Sequence, residues 1–154
     1  MINLARATMK AAFSPRITDA TLDFLGIGLH VSHILVVEDN FGVAPTLCAM
    51  LEHYGHTCSF AGDGSEALVA LDRGGIDVVV SDVRLPSKVS GLEIADRARA
   101  AGIGCVLITG YGDLMSELER RRDLVWLAKP FLGSALAEAV SAAQQSSKDP
   151  SWRA

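Results

Sequence analysis

Short apolar runs alternate with helical patterns along most of this chain. The runs lie at residues 34–37, 57–61, 76–81, 103–108 and 124–128. Nearly continuous apolar runs of this length are typical of parallel strands that are buried on both faces of a sheet. The segments that follow them have helical spacing, at residues 43–54, 65–73, 90–101, 114–121 and 131–145. Five strand–helix units predict a single α/β domain with helices on both faces of the sheet.

Capping and breaking residues support these boundaries. Pro45 is compatible with a helix only near its start, and Ser90 is a good N-terminal cap. The glycines at 55, 74–75 and 102 end the first three helices. The last helix is predicted to turn five apolar residues inward: Leu132, Leu136, Ala139, Val140 and Ala143.

The two ends of the chain lack such periodicity. Residues 1–32 show no strong period and are predicted to form a partly ordered N-terminal extension. Residues 146–154 are polar and are predicted to be a frayed C-terminal tail. The domain itself is therefore expected at residues 33–145.

Composition narrows the class of protein. The chain has 154 residues, 49% of them hydrophobic and 21% charged, with a net charge of −4. This charge argues weakly against nucleic acid, so no direct DNA binding is expected. Cys48, Cys58 and Cys105 lack metal-ligand spacing and are interpreted as small buried residues of a reducing compartment. With neither a membrane-spanning stretch nor a signal peptide, a cytoplasmic location is expected, without membrane contact.

Polar residues stand at the carboxyl ends of four predicted strands. Glu38 and Asp39 follow the first, Asp82 the third, Thr109 the fourth and Lys129 the fifth. In a parallel α/β sheet those ends share one edge, where ligands bind. Three carboxylates, a hydroxyl and an ammonium at one edge predict a metal-assisted phosphoryl-transfer site.

Each of these acids also has a purely structural interpretation. Glu38 and Asp39 suit the N-terminus of a helix, where the dipole favours negative charge. Asp82 alone suits the capping of a loop. If all three acids cluster, like charges ~4 Å apart repel by about 4 kcal/mol at an effective dielectric near 20. In that case Mg²⁺, or the substitution Asp39→Asn, should raise the melting temperature.

The order and context of these residues resemble the bacterial response-regulator receiver domains, of the type that acts in chemotaxis. The matching segments are Glu38-Asp39-Asn40, Ser81-Asp82 with Pro86, Thr109-Gly110 and Lys129-Pro130-Phe131. Asp39, Asp82, Thr109 and Lys129 are separated by 43, 27 and 20 residues, close to the family's pattern. The resemblance implies a flavodoxin-like, doubly wound sheet of five parallel strands in the order 2-1-3-4-5.

The resemblance also implies roles for individual residues. Asp82 would accept a phosphoryl group from a phosphohistidine on a sensor histidine kinase or a histidine phosphotransfer protein. Mg²⁺ would be bound by Asp39, Asp82 and the backbone carbonyl of Arg84, and through a water by Glu38. Thr109 and Lys129 would contact phosphoryl oxygens, with Lys129 aimed by a cis peptide bond to Pro130.

Departures from the family pattern lie between Thr109 and Lys129. This segment is short, and it carries the basic run 120–122, which is either a solvated helix face or a docking site. Trp126 stands where many receivers carry a switch tyrosine or phenylalanine, and Tyr111 is a rival for that role. Trp126 is alternatively a core residue. Arg84 and Tyr111 are expected to overhang the phosphoryl group and slow its hydrolysis.

The resemblance favours a signalling switch that catalyses only its own phosphorylation and dephosphorylation. A stand-alone receiver or phosphorelay shuttle with an unknown protein target is expected, and a homodimer or a fragment of a hybrid kinase stays open. Two alternatives are a phosphorylation-independent adaptor and an aspartyl-phosphate hydrolase. Such hydrolases typically carry an acid two residues after the nucleophile, where this chain has Arg84. A flavodoxin-like cofactor binder would share only the fold.

Overall fold

A computed structural model describes residues 31–110 and 115–148. The predicted N-terminal extension up to residue 30, Tyr111 and the tail from residue 149 lie outside the described residues. The strands are β1 (His33–Val37), β2 (Thr57–Ala61), β3 (Val78–Asp82), β4 (Gly104–Thr109) and β5 (Val125–Ala128). The helices are α1 (Ala44–His53), α2 (Gly64–Arg73), α3 (Gly91–Ala100), α4 (Met115–Arg120) and α5 (Gly133–Lys148).

The five strands form one parallel sheet in the order β2-β1-β3-β4-β5. This confirms the predicted fold class and strand order. The chain leaves β1 in one direction along the sheet to reach β2 and crosses back past β1 to reach β3. The order therefore reverses between β1 and β3, and in sheets of this kind the ligand crevice lies at the carboxyl ends of the two strands where the order reverses.

Side chains alternate between the two faces of each strand and build a core on both sides of the sheet. On β1, Ile34 and Val36 pack with Leu47 and Leu51 of α1 and with one side of α5. Leu35 and Val37 face the other way and pack with residues of α2 and α3. A third cluster joins Leu107 of β4 to Leu118 of α4. Burial on both faces explains why the strands are nearly continuous in apolar residues.

Local signals set the helix boundaries close to the predicted ones. Ser90 accepts a hydrogen bond from the backbone N–H of Glu93, whose carboxylate accepts one from the N–H of Ser90, which is a complete capping box for α3. Asp63 caps α2 by accepting the N–H of Glu66 on its carboxylate. Gly74 ends α2 with φ of 79°, a left-handed conformation that favours glycine.

Three details differ from the predictions. Leu132 was expected to face inward, but it precedes α5 and is 75% exposed, so that prediction is wrong. Strand β3 begins at Val78, two residues after the predicted start, and the side chain of Asp77 accepts the N–H of His33. Helix α5 continues to Lys148, three residues past the predicted end.

None of the helices within 31–110 and 115–148 combines the length and the apolar character that crossing a bilayer requires.

Candidate functional site

The carboxyl edge of the sheet carries most of the residues predicted for the site. Glu38 directly follows β1, and its N–H donates to the backbone oxygen of Ala61 at 3.2 Å. Asp82 is the last residue of β3, and Thr109 is the last residue of β4. Lys129 directly follows β5. Glu38 and Asp82 thus flank the crevice where the strand order reverses.

The ammonium of Lys129 lies between two carboxylates. Its Nζ is 3.0 Å from Oδ2 of Asp82 and 3.6 Å from Oε2 of Glu38. The Glu38 side chain is only 5% exposed, against 17% for Asp82 and 36% for Lys129. Burial lowers the pKa of Lys129, but the hydrogen bond and charge of Asp82, with those of Glu38, outweigh it, so the pKa is raised overall. Lys129 therefore stays an ammonium at neutral pH.

Backbone N–H groups orient both carboxylates. Oε1 of Glu38 accepts the N–H of Asn40 at 3.1 Å, while Oδ1 of Asp82 accepts the N–H of Arg84 at 3.2 Å. Each carboxylate thus uses one oxygen for its own loop and turns the other toward Lys129. The main chain of Arg84 lies beside Asp82, and Arg84 itself is exposed.

The structure does not bring the three predicted acids, Glu38, Asp39 and Asp82, together into one metal-binding group. Asp39 is exposed, and among residues 31–110 and 115–148 no group of three or more His, Cys, Asp or Glu side chains is placed to hold a metal ion. Glu38 and Asp82 are instead brought together by Lys129, whose positive charge offsets their mutual repulsion. The like-charge strain expected of the metal-free domain is correspondingly smaller.

Thr109 lies at the same edge and is 6% exposed. Its hydroxyl donates to the backbone oxygen of Gly110 at 2.8 Å, so it is engaged within its own loop. The backbone oxygen of Thr109 accepts the N–H of Lys129 at 2.8 Å. These two residues therefore sit on main-chain segments that are hydrogen-bonded to each other.

Trp126 lies on β5, three residues before Lys129. It pairs with Leu107 in the β4–β5 register and packs, partly buried, in the cluster that contains Leu118 of α4 and Val83. Trp126 therefore contributes to a core cluster that also includes a residue of the helix that follows Thr109. The core and switch interpretations are both compatible with this position.

One residue of the basic run at 120–122, Arg121, forms ion pairs within the domain. Arg121 contacts Asp96 of α3 at 2.7 Å and Asp123 at 2.9 Å, and Arg99 also pairs with Asp123. The hydrogen bonds of Asp123 and Asp96 raise the pKa of Arg121, while the hydrogen bond of Arg121 lowers the pKa of Asp123. This network joins the turn after α4 to α3. Arg120 and Arg122 are exposed.

Comparison with known proteins decides the family. The family model of the response regulator receiver domain matches residues 34–141. The chain belongs to this family. That assignment agrees with the strand order and with the placement of acidic and basic residues at one edge of the sheet.

Solved receiver domains have the same architecture. A response regulator receiver protein from Sinorhizobium medicae is 27% identical, with a TM-score of 0.69 over 78% of this chain and 99% of that one. A receiver domain protein from Clostridium thermocellum is 25% identical, with a TM-score of 0.65 over 75% and 95% of the two chains.

Curated relatives are longer proteins. The transcriptional regulatory protein TcrA of Mycobacterium tuberculosis is 36% identical over 64% of this chain and 40% of its own length. The sensor histidine kinase RcsC of Salmonella typhi is 32% identical over 70% of this chain and 12% of its length. The chain thus spans less than half of each of these two relatives.

The receiver site contains contacts that the sequence did not reveal. A Cβ atom on Gly91 would lie 2.2 Å from the backbone oxygen of Asp82, so α3 begins against the main chain of the strand that carries Asp82. Ser87 accepts the N–H of Gly64 at 3.1 Å and donates to the oxygen of Val89 at 2.9 Å. These contacts hold the β3–α3 loop. The only sequence signal was the glycine directly after the Ser90 cap.

The donor set suits a hydrated divalent ion better than a closed cage. Carboxylate and carbonyl oxygens are the ligands that Mg²⁺ prefers, and it commonly keeps several waters with only one or two carboxylates bound. Asp82 and Glu38 present such oxygens to one crevice, with the exposed Asp39 next in sequence. Glu38 and Asp82 therefore suit the ion by the chemistry of their oxygens, and in this structure Lys129 pairs with both of them.

Proposed function

We propose that this receiver domain accepts a phosphoryl group on Asp82 from the phosphohistidine of a sensor histidine kinase or a histidine phosphotransfer protein. The observation that carries the proposal is the ammonium of Lys129, held 3.0 Å from Oδ2 of Asp82 at the crevice where the strand order reverses. A carboxylate is ionised at neutral pH and needs no general base to attack phosphorus. Its partner ammonium is already placed to receive negative charge.

The transfer is a displacement at phosphorus. An Asp82 carboxylate oxygen forms the new O–P bond while the P–N bond of phosphohistidine breaks, which leaves an acyl phosphate and a free imidazole. Lys129 exchanges its contact with the carboxylate for one with a phosphoryl oxygen, a charge-assisted hydrogen bond. Thr109 turns its hydroxyl from the oxygen of Gly110 to another phosphoryl oxygen.

The metal-binding residues in this proposal are Asp39, Asp82 and the backbone carbonyl of Arg84, with Glu38 acting through a water. The bound Mg²⁺ would supply neutralisation of charge on the transferring phosphoryl group. Glu38 contributes by its burial, since a nearly enclosed carboxylate beside Asp82 keeps the crevice negative. Arg84, whose N–H already orients Asp82, places its carbonyl on the same loop.

Phosphorylation would bias a two-state equilibrium through Thr109 and an aromatic residue, either Trp126 or Tyr111. Support comes from Trp126, which packs against the cluster that contains Leu118 of α4 and lies on the strand that precedes Lys129. Movement of Thr109 toward the phosphoryl group would thereby alter the surface of α4, β5 and α5. That surface would bind the downstream protein or a second copy of the chain.

The decisive experiment is incubation of the protein with Mg²⁺ and acetyl phosphate, followed by intact-mass and peptide analysis. One hydroxylamine-labile phosphate is expected on Asp82 in the wild type and in Asp72→Asn, a surface control on α2. It is expected to be absent from Asp82→Asn and to be lost when EDTA removes the metal. Multiple turnovers without a stable adduct would indicate a hydrolase, and absence of phosphate from folded wild type would indicate an adaptor.

A further inference from the structure

Two cysteines lie side by side on the flank of the domain away from the Asp82 crevice. Cys48 is on α1 and Cys58 is on the edge strand β2. The Sγ of Cys58 lies 3.9 Å from the backbone oxygen of Cys48, which places the Cys58 side chain against the turn of α1 that carries Cys48. Both side chains pack against the same core cluster, yet both remain partly exposed.

The two thiols are not equivalent. Burial raises the pKa of Cys48, but its hydrogen bond with Cys58 lowers that pKa again in part. For Cys58, burial and then the charge and hydrogen bond of Cys48 raise the pKa to about 12. Glu52 raises the pKa of both thiols by its charge. Both thiols are thus harder to ionise than a free cysteine, Cys48 less so than Cys58, so Cys48 is the thiol that reacts first.

We propose that Cys48 and Cys58 form a redox-modification site that takes up a low-molecular-weight disulfide at Cys48 and closes an intramolecular bridge to Cys58. The site depends on two cysteines that are neighbours across a helix–strand interface and are both partly exposed. It is separate from the phosphoryl-transfer proposal, because it uses neither the acids nor Lys129.

The reaction is two successive thiol–disulfide exchanges. The thiolate of Cys48 attacks one sulfur of oxidised glutathione, which forms a mixed disulfide and releases one glutathione thiolate. Cys58 then loses its proton and attacks the sulfur of Cys48, which forms the protein disulfide and releases the second glutathione. The protein loses two protons and two electrons, and oxidised glutathione takes them up to become two glutathione thiols.

Closing the bridge would fasten α1 covalently to β2. In the reduced protein, α1 is held on this side by packing of Leu47 and Leu51 with the core and by the contact of the Cys58 thiol with the backbone oxygen of Cys48. A covalent link would restrict sliding of α1 over the edge strand. The melting temperature of the oxidised protein is therefore expected to exceed that of the reduced protein.

The test is incubation of the full chain with oxidised glutathione, followed by non-reducing intact-mass analysis and peptide mapping. Wild type should lose two hydrogens without retaining glutathione and should yield a peptide linked through Cys48 and Cys58. The variants Cys58→Ser and Cys58→Ala should retain one glutathione on Cys48. Cys48→Ser should react at Cys58 at least tenfold more slowly.

Cys105 on β4 provides the matched control. Its pKa is raised to about 12, first by burial and then by the charge of Asp96, and Cys105→Ser should close the bridge at the wild-type rate. Circular dichroism checks that each variant is folded. The proposal is overturned if folded wild type keeps its thiols while the denatured chain reacts, if glutathione accumulates first on Cys58 or Cys105, or if the disulfide joins two chains.

Discussion

Replacement of Lys129 by methionine tests how the site is held together. The substitution keeps a long side chain but removes the charge that faces two carboxylates. At an effective dielectric near 20, unit charges at 3.0 and 3.6 Å attract by about 5 kcal/mol each. That figure is an upper limit, because the Lys129 side chain is 36% exposed and desolvation opposes the attraction.

The net loss lies between the values for surface and buried ion pairs. Removing one partner of a fully buried pair costs about 3–5 kcal/mol, whereas an exposed pair contributes about 0–1 kcal/mol. Since Glu38 is almost fully buried and Lys129 is not, Lys129→Met should lower the free energy of unfolding by about 2 kcal/mol. For a domain of this size this corresponds to a decrease in melting temperature of roughly 8 °C.

Urea and thermal unfolding followed by circular dichroism measure this loss. Lys88→Met is the control, because Lys88 is exposed in the β3–α3 loop and its replacement should change stability by less than about 0.5 kcal/mol. The double variant Lys129→Met with Glu38→Gln should recover part of the loss, since the uncompensated carboxylate is then gone. Lys129 does not hold the two carboxylates together if Lys129→Met unfolds with the wild type, or if Glu38→Gln adds its full cost to the double variant.

Two further predictions concern neighbouring features. Because the pKa of Lys129 is raised in the folded state, protonation of Lys129 stabilises the fold. This stabilisation is complete at pH values below the unfolded-state pKa of about 10.4 and is lost as the pH rises through the folded-state pKa. The stability difference between wild type and Lys129→Met should therefore narrow from pH 8 to pH 11 in urea titrations; a constant difference would contradict the assignment. Gly91→Ala should lower the free energy of unfolding by about 2 kcal/mol, because its Cβ would lie 2.2 Å from the backbone oxygen of Asp82. The control Gly133→Ala would place its Cβ no closer than 3.6 Å to any neighbour, so its melting temperature should be nearly that of the wild type.

The fold was predictable because local signals and burial agree along the chain. Strands buried on both faces are apolar throughout, so β1, β3 and β4 stand out without any alignment. The helix caps at Asp63 and Ser90 are short-range hydrogen bonds within four residues. Leu132 was mispredicted because periodicity was extended through the residues before α5, where the chain has not yet entered the helix.

The site was less predictable than the fold. Parallel topology brings Glu38, Asp82 and Lys129 to one edge, so their proximity follows from the strand order. The topology does not fix where a side chain turns after the strand has ended, and Asp39 and Thr109 illustrate this. Asp39 is exposed, and Thr109 donates to its own loop. Long-range approaches such as Gly91 on Asp82 leave no periodic signal in the sequence.

The hydrogen bond from the N–H of Lys129 to the oxygen of Thr109 fixes the spacing between two side chains that originate 20 residues apart in the chain. This main-chain hydrogen bond, and not the side-chain rotamers, therefore fixes the distance between the backbone positions from which the hydroxyl and the ammonium extend. A substitution such as Thr109→Ser would keep both attachment points. An inserted residue on either side of this bond would displace one of them, whatever side chains were present.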